Sequence, residues 1–347
     1  MVISTKPASG LMHHGLKLFA VFMLVLSGQA SAAPAQNFYA GKTLRILVGY
    51  APGGGYDAYA RVLARHLGRH IPGNPAVVVV NMPGAGSLIA LRYLDTTAPK
   101  DGTVVTAFDF TQIANSRLTP DLVNVDFRKF NWIGSMAEDL AVCYVWHTVG
   151  ANTLAELKTR GPIHVGRTTR GSSADIEQKI MREIFKVDLR YVAGYAGSSE
   201  SMLAVERGEL DGGCLSWASL PETWIMRNQI RPVLRMSNDV APDLPATVPN
   251  AIDIAPSPRD VELIRFLTAG GEIGKPLVAS LAVPAERVQI LRSAFAATMK
   301  DPQLLADAQR LRLPVASKSS EEALAVVNAI YAAPADIVES ARRIVLE

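Results

Sequence analysis

The chain has 347 residues, of which 49% are hydrophobic and 19% charged, and its formal net charge is +3. That length supports a large core and fits two domains more naturally than one. Two of the lysines and none of the acids fall in the first 32 residues, so the rest of the chain is close to neutral, which argues against a nucleic-acid partner.

At the N-terminus, Lys6, His13, His14 and Lys17 precede an apolar stretch from Leu18 to Leu26, and Ala30, Ser31 and Ala32 follow as a small-residue cleavage site. This pattern predicts a secretory signal peptide over residues 1–32, with the mature chain starting near Ala33. The apolar stretch falls short of the roughly 20 residues that a membrane span needs, and no later segment is long and apolar enough. No cysteine follows the cleavage site, so no lipid anchor is expected there. Cys143 and Cys214 are the only cysteines. In an oxidising compartment they could pair, or both could be buried free thiols.

The first element of the mature chain is an apolar strand, Leu44 to Val48, that runs into Pro52, Gly53, Gly54, Gly55, Tyr56 and Asp57 and then a helix through Arg61 and Leu67. A second strand, Val77 to Val80, runs through Asn81 and Met82 into Pro83, Gly84, Ala85, Gly86 and Ser87, and a helix starts near Leu88. A helix start has unpaired N–H groups and a partial positive charge, and glycines there let a ligand approach the backbone. Two such turns read as a carboxylate cradle. The glycines could equally serve only to bend a strand sharply into a helix, with Asp57 complementing the dipole. Asp101 and Gly102 then turn into a strand from Thr103 to Phe108, which places Asp109 and Phe110 at a third strand end. In open α/β sheets the ligand sits beyond the carboxyl ends of the strands.

A second series starts with a strand from Ala141 to Trp146 and a helix from about Thr153 to Thr159. A strand from Ile163 leads into Arg167, Thr168, Thr169, Arg170, Gly171, Ser172 and Ser173, and Ile176, Ile180 and Ile184 recur behind this turn at helical spacing. Tyr191 to Gly194, the turn Tyr195 to Ser199, a helix ending at Gly208 and the turn at Asp211 and Gly212 follow. Strands alternating with amphipathic helices predict an α/β fold with largely parallel sheets. After Ile230 to Met236, the prolines 242, 245, 249, 256 and 258 predict a loop. Helices marked by Ile290 to Thr298 and Ala323 to Ile330 close the chain.

The leader, the run Ala51-Pro52-Gly53-Gly54-Gly55-Tyr56-Asp57 with Ala60 and Arg61 behind it, and Asn81 to Gly86 together resemble the Bug family, the periplasmic substrate receptors of tripartite tricarboxylate transporters. Asp101-Gly102-Thr103, the block from Tyr191 to Asp211, the prolines from Leu244 to Pro249, and the stretch from Val283 through Asp301-Pro302 extend the likeness over nearly the whole mature chain. The resemblance implies a two-lobed, type II periplasmic-binding-protein fold with the ligand cleft between the lobes. It places lobe one at 36–138 plus 237–347 and lobe two at 139–236. It also implies a periplasmic location, a small carboxylate ligand held by Pro52 to Asp57 and Pro83 to Ser87, and delivery to membrane transporter subunits by a monomeric receptor. Ser87 stands where a further glycine is usual in the family, and Tyr56 is bulkier than the small residue common there.

In lobe two, Arg167 and Arg170 could grip a carboxylate, with Thr168, Thr169, Ser172 and Ser173 adding hydroxyls. The alternative is that both arginines face solvent or pair with acids. Tyr195 and Ser198 stand at the next turn. Asp211 could accept from a ligand, although completing the turn with Gly212 is the favoured reading. Phe108, Phe110 and Trp217 read as core packing ahead of pocket walls. His66 and His70 have the spacing of a helical metal pair but read as late-helix cations. Gly-x-Ser-x-Gly, Ser-x-x-Lys, His-Glu-x-x-His and Cys-x-x-Cys are all missing from the sequence, so neither catalysis nor a cofactor or metal is expected. A periplasmic sensor that presents ligand to a membrane signalling protein uses the same fold and pocket; an exported enzyme acting on a carboxylate is the more distant alternative.

Overall fold

The computed structural model describes residues 1–5, 38–237, 239–241 and 243–346. Residues 6–32 of the predicted leader and Pro242 lie outside the described residues. The first series of elements is β1 (Thr43–Val48), α1 (Gly55–Leu67), β2 (Ala76–Asn81), α2 (Leu88–Thr96), β3 (Val104–Ala107), α3 (Thr111–Leu118) and β4 (Asn131–Ser135). The second is β5 (Ala141–Trp146), α4 (Leu154–Arg160), β6 (Ile163–Arg167), α5 (Ser173–Lys179), β7 (Leu189–Ala193), α6 (Ser198–Glu206), β8 (Gly212–Ser216), α7 (Glu222–Met226) and β9 (Ile230–Arg235). The chain ends with α8 (Pro258–Thr268), β10 (Pro276–Ala279), α9 (Ala285–Thr298), α10 (Pro302–Arg310), α11 (Ser320–Tyr331) and α12 (Ala335–Leu346).

The strands form two five-stranded sheets, ordered β2-β1-β3-β10-β4 and β7-β6-β8-β5-β9. Four strands of each sheet share a direction, and the fourth in the order, β10 or β5, runs against them. Both exceptions have one cause. β5 and β10 are the first strands laid down after the chain crosses between sheets, so each enters from the opposite side and can pair only antiparallel. The expected α/β architecture of two lobes is the observed one.

The first sheet has a core on each face. One packs Ile46, Val48, Leu63 and Leu67 against Leu291, Phe295 and Leu304. The other runs from Phe108, Ile113 and Trp132 without a break into Val142, Ile176 and Trp224 of the second sheet. Phe108 stacks on Phe127 with ring centroids 5.3 Å apart, and Phe108, Phe110 and Trp217 are buried as core residues. Cys143 and Cys214 lie directly opposite each other on β5 and β8 and form a disulfide. The proline-spaced segment differs from expectation at its end. Ser257 caps Asp260 N–H and Pro258 occupies the first turn of α8, a position where proline's missing N–H costs nothing. His66 and His70 point to acids on the neighbouring helix, Nε2 of each lying 2.7 Å from Asp307 and Asp301 respectively. No group of metal-ligating side chains occurs among the described residues.

Candidate functional site

The registers of the two sheets bring their turns together. Val48 of β1 is level with Asn81 of β2 and Ala107 of β3, so three strands end on one line. The first two turns then touch. A Cβ at Gly49 would lie 2.2 Å from Ser87 Cβ and 2.6 Å from its Cα, so only glycine fits there. Asp57 braces the first turn by accepting from Gly53 N–H, Arg61 Nε and Asn81 Nδ2 at 2.8–2.9 Å. Burial pushes its carboxyl up, but these hydrogen bonds outweigh burial and hold it below the usual range. In the other sheet, Arg167 of β6 is level with Ala193 of β7, and the turns that follow lead into α5 and α6.

Across the cleft, the first glycine turn meets the serine turn of lobe two. A Cβ at Gly53 would lie 3.2 Å from Ser199 Oγ, one at Gly54 3.1 Å from Ser198 Oγ, and one at Gly55 2.4 Å from Ser219 Oγ. The lobes are therefore closed on each other. Helix α1 has Gly54 as its N-cap and α6 has Gly197, and neither has a side-chain cap. Two helix N-termini, one from each lobe, thus meet, and both line a cavity of about 130 Å³. Each carries roughly half a positive charge, offset in part by an acid in its own first turn, Asp57 in α1 and Glu200 in α6.

Of the residues singled out in the sequence as ligand contacts, Pro52, Gly54, Gly55, Tyr56, Thr168, Ser172, Ser173 and Ser198 line this cavity. Gly53 is not among the lining residues but faces Ser199 across the cleft, and Asp57 supports the turn through Gly53 N–H. Pro83, Gly84, Ala85, Gly86 and Ser87 are not among the lining residues. They form the second layer, where Ala85 and Ser87 take left-handed backbone at φ 47° and 79°. Ser87 is fully buried, and its Oγ accepts from Asp109 N–H at 3.1 Å, a bond that a glycine in its place could not make. Arg167 is 2.8 Å from Asp175 and stacks over Tyr191 at 4.0 Å; Arg170 is exposed. Tyr195 sits behind Gly166. Asp211 accepts from the backbone N–H of His164 at 2.6 Å and lies 3.0 Å from its Nδ1, so it completes the turn.

Asp109 is fully buried and lies where the two lobes meet. It accepts from Tyr50 Oη at 2.5 Å and from Ser173 N–H, the first of α5, at 3.1 Å, while its other oxygen holds Thr111. Tyr56 stacks on Tyr50 at 5.3 Å, and its hydroxyl accepts from Phe110 N–H at 3.4 Å. Burial and the nearby acids keep both phenols well above their usual range, hence protonated. Sequence reasoning passed over Lys275 and Asp139, a buried ion pair of 2.7 Å, as well as Gln178, Ser219 and Tyr144, all of which line the cavity. Nothing in the chain order links residue 139 to residue 275. A second cavity, of about 470 Å³, shares Asp139 and Ser173 with the first. Neither α1 nor α6 contributes to its lining.

No family model matches the chain. A UPF0065 protein of Agrobacterium vitis is 23% identical over 281 residues, a match that covers 79% of this chain and 76% of that protein. Among solved structures, the malate-bound MatC protein of Rhodopseudomonas palustris superposes with a TM-score of 0.68 at 18% identity, covering 88% of this chain and 99% of that one. An adipate-bound protein of the same organism gives a TM-score of 0.69 at 18% identity, with 86% and 97% covered. The structural neighbours also include TctC and Bug periplasmic binding proteins. The shared feature is the two-lobed fold.

Proposed function

We propose that this protein is an exported solute receptor that encloses a small carboxylate between lobes 36–138 plus 237–347 and 139–236 and passes it to a membrane transporter. The observation that carries the reading is the meeting of two uncapped helix N-termini, α1 and α6, from opposite lobes at one cavity. A carboxylate between them accepts N–H groups from both lobes at once, which makes ligand binding and closure a single event. Hydrogen bonds to a charged carboxylate contribute roughly 1.5–3 kcal/mol each. Serine and threonine hydroxyls at 168, 172, 198 and 199 add further partners. The carboxylates held by two neighbours of this fold are consistent with this chemistry.

The test is a thermal-shift screen of the mature, ligand-stripped protein against small carboxylates, with the matched amides as controls. A carboxylate at 100 times its dissociation constant should stabilise the fold by about 2.7 kcal/mol, and its amide should not. A panel in which no acid outperforms its amide would sink the reading.

A further inference from the structure

The charges that line the cavity limit what else the ligand carries. Lys275, Asp139 and Glu200 are the charged residues among the described lining. Lys275 is committed to Asp139 at 2.7 Å, both side chains being about 5% exposed. Glu200 accepts from Ala196 N–H at 2.7 Å. The positive potential left for a ligand is at most that of the two helix starts, about half a charge each, reduced by Asp57 and Glu200 in their first turns, so the site supports no more than one carboxylate. A second carboxylate in the same cavity would be buried with no counter-charge. The volume favours a small ligand. About 130 Å³ is close to the 150 Å³ cavity that accepts benzene, so about six to eight heavy atoms fit.

An independent observation concerns Gln178, a lining residue that is 2% exposed. Its Nε2 donates to Gly166 O at 3.1 Å. A carbonyl can only accept, so this bond fixes which way the amide is turned. Its Oε1 is buried and has no hydrogen-bond partner, and buried acceptors are normally paired. A ligand bearing a hydroxyl supplies the missing donor. An ammonium group could donate to the same oxygen, but its only counter-charge would be Glu200, which is exposed and already accepts from Ala196 N–H.

Resting on the receptor reading above, we infer that the preferred ligand is a compact hydroxy-monocarboxylate, with its carboxylate between the starts of α1 and α6 and its hydroxyl donating to Gln178 Oε1. The experiment is calorimetric titration of the mature, ligand-stripped protein with 2- and 3-hydroxybutyrate, butyrate, malate and 2-aminobutyrate. At least one hydroxybutyrate should bind five-fold or more tighter than butyrate, and malate at least ten-fold weaker than that hydroxy acid. Gln178→Met should lower affinity for the hydroxy acid to that for butyrate and leave butyrate unchanged. Malate or 2-aminobutyrate binding as tightly as the hydroxy acid would overturn the inference, as would a Met variant that loses both acids equally. If the Met variant does not fold, the wild-type ligand series decides. Binding of none of these or any other carboxylate would instead overturn the receptor reading itself.

Discussion

Gly55→Val tests whether the closed cleft is the ligand-bound arrangement. Residue 55 is the first of α1, and a Cβ there would come 2.4 Å from Ser219 Oγ of lobe two and 3.7 Å from its Cβ. Alanine needs only a rotation of the serine hydroxyl. Valine adds two methyl groups beyond that point, and overpacking of this kind costs about 1–3 kcal/mol. The cost falls on the closed state, so ligand affinity should drop about 5- to 160-fold. Within lobe one the change is mild, because valine is the better helix former by a few tenths of a kcal/mol. The ligand-free melting temperature should therefore hold, and calorimetry on the carboxylate found in the screen should show the loss. Adding Ser219→Gly should restore most of the affinity. An unchanged dissociation constant, or a double variant no better than Gly55→Val alone, would refute the idea that the two lobes collide here during closure.

Three further expectations concern stability. Lys275→Met leaves Asp139 buried without its partner and should destabilise by about 3–5 kcal/mol in urea denaturation, with Asp139→Leu in the same chain recovering most of it. Burial first, then the carboxylates of Asp139 and Asp109, hold Glu177 well above the usual range. A raised carboxyl stabilises fully below its unfolded value, about pH 4.3, and loses that contribution as pH rises through its folded value. The melting-temperature difference between Glu177→Gln and wild type should thus be smallest near pH 4 and grow in the variant's favour toward pH 8; a flat difference would contradict this. The Cys143–Cys214 disulfide closes a loop of 71 residues, which the chain-entropy model values at about 4 kcal/mol. Cys143→Ala with Cys214→Ala should lower the denaturation free energy by up to that amount, and no change would show that the bridge adds nothing to the fold.

The sequence by itself determined the elements and their polarity. Strand, glycine turn and helix are local signals, written in apolar runs, helical spacing and residues that tolerate tight turns, so the first turn and the turn around Ser172 could be found without a fold. Arg167 and Arg170 illustrate the limit. Their chemistry suits a carboxylate, but whether a guanidinium faces a ligand, an aspartate or solvent depends on which neighbour the fold supplies, and Arg167 meets Asp175. The same holds for Pro83 to Ser87, where Gly84 makes room for Ile89, Gly86 for Gln112, and Ser87 packs against Gly49 of the first turn. Only the tertiary structure decided that Lys275 neutralises Asp139, that Cys143 faces Cys214, and that Gly55 closes on Ser219. Each of these joins residues at least 71 positions apart, and no local propensity reports on a contact that exists only once two sheets have formed and their ends have met.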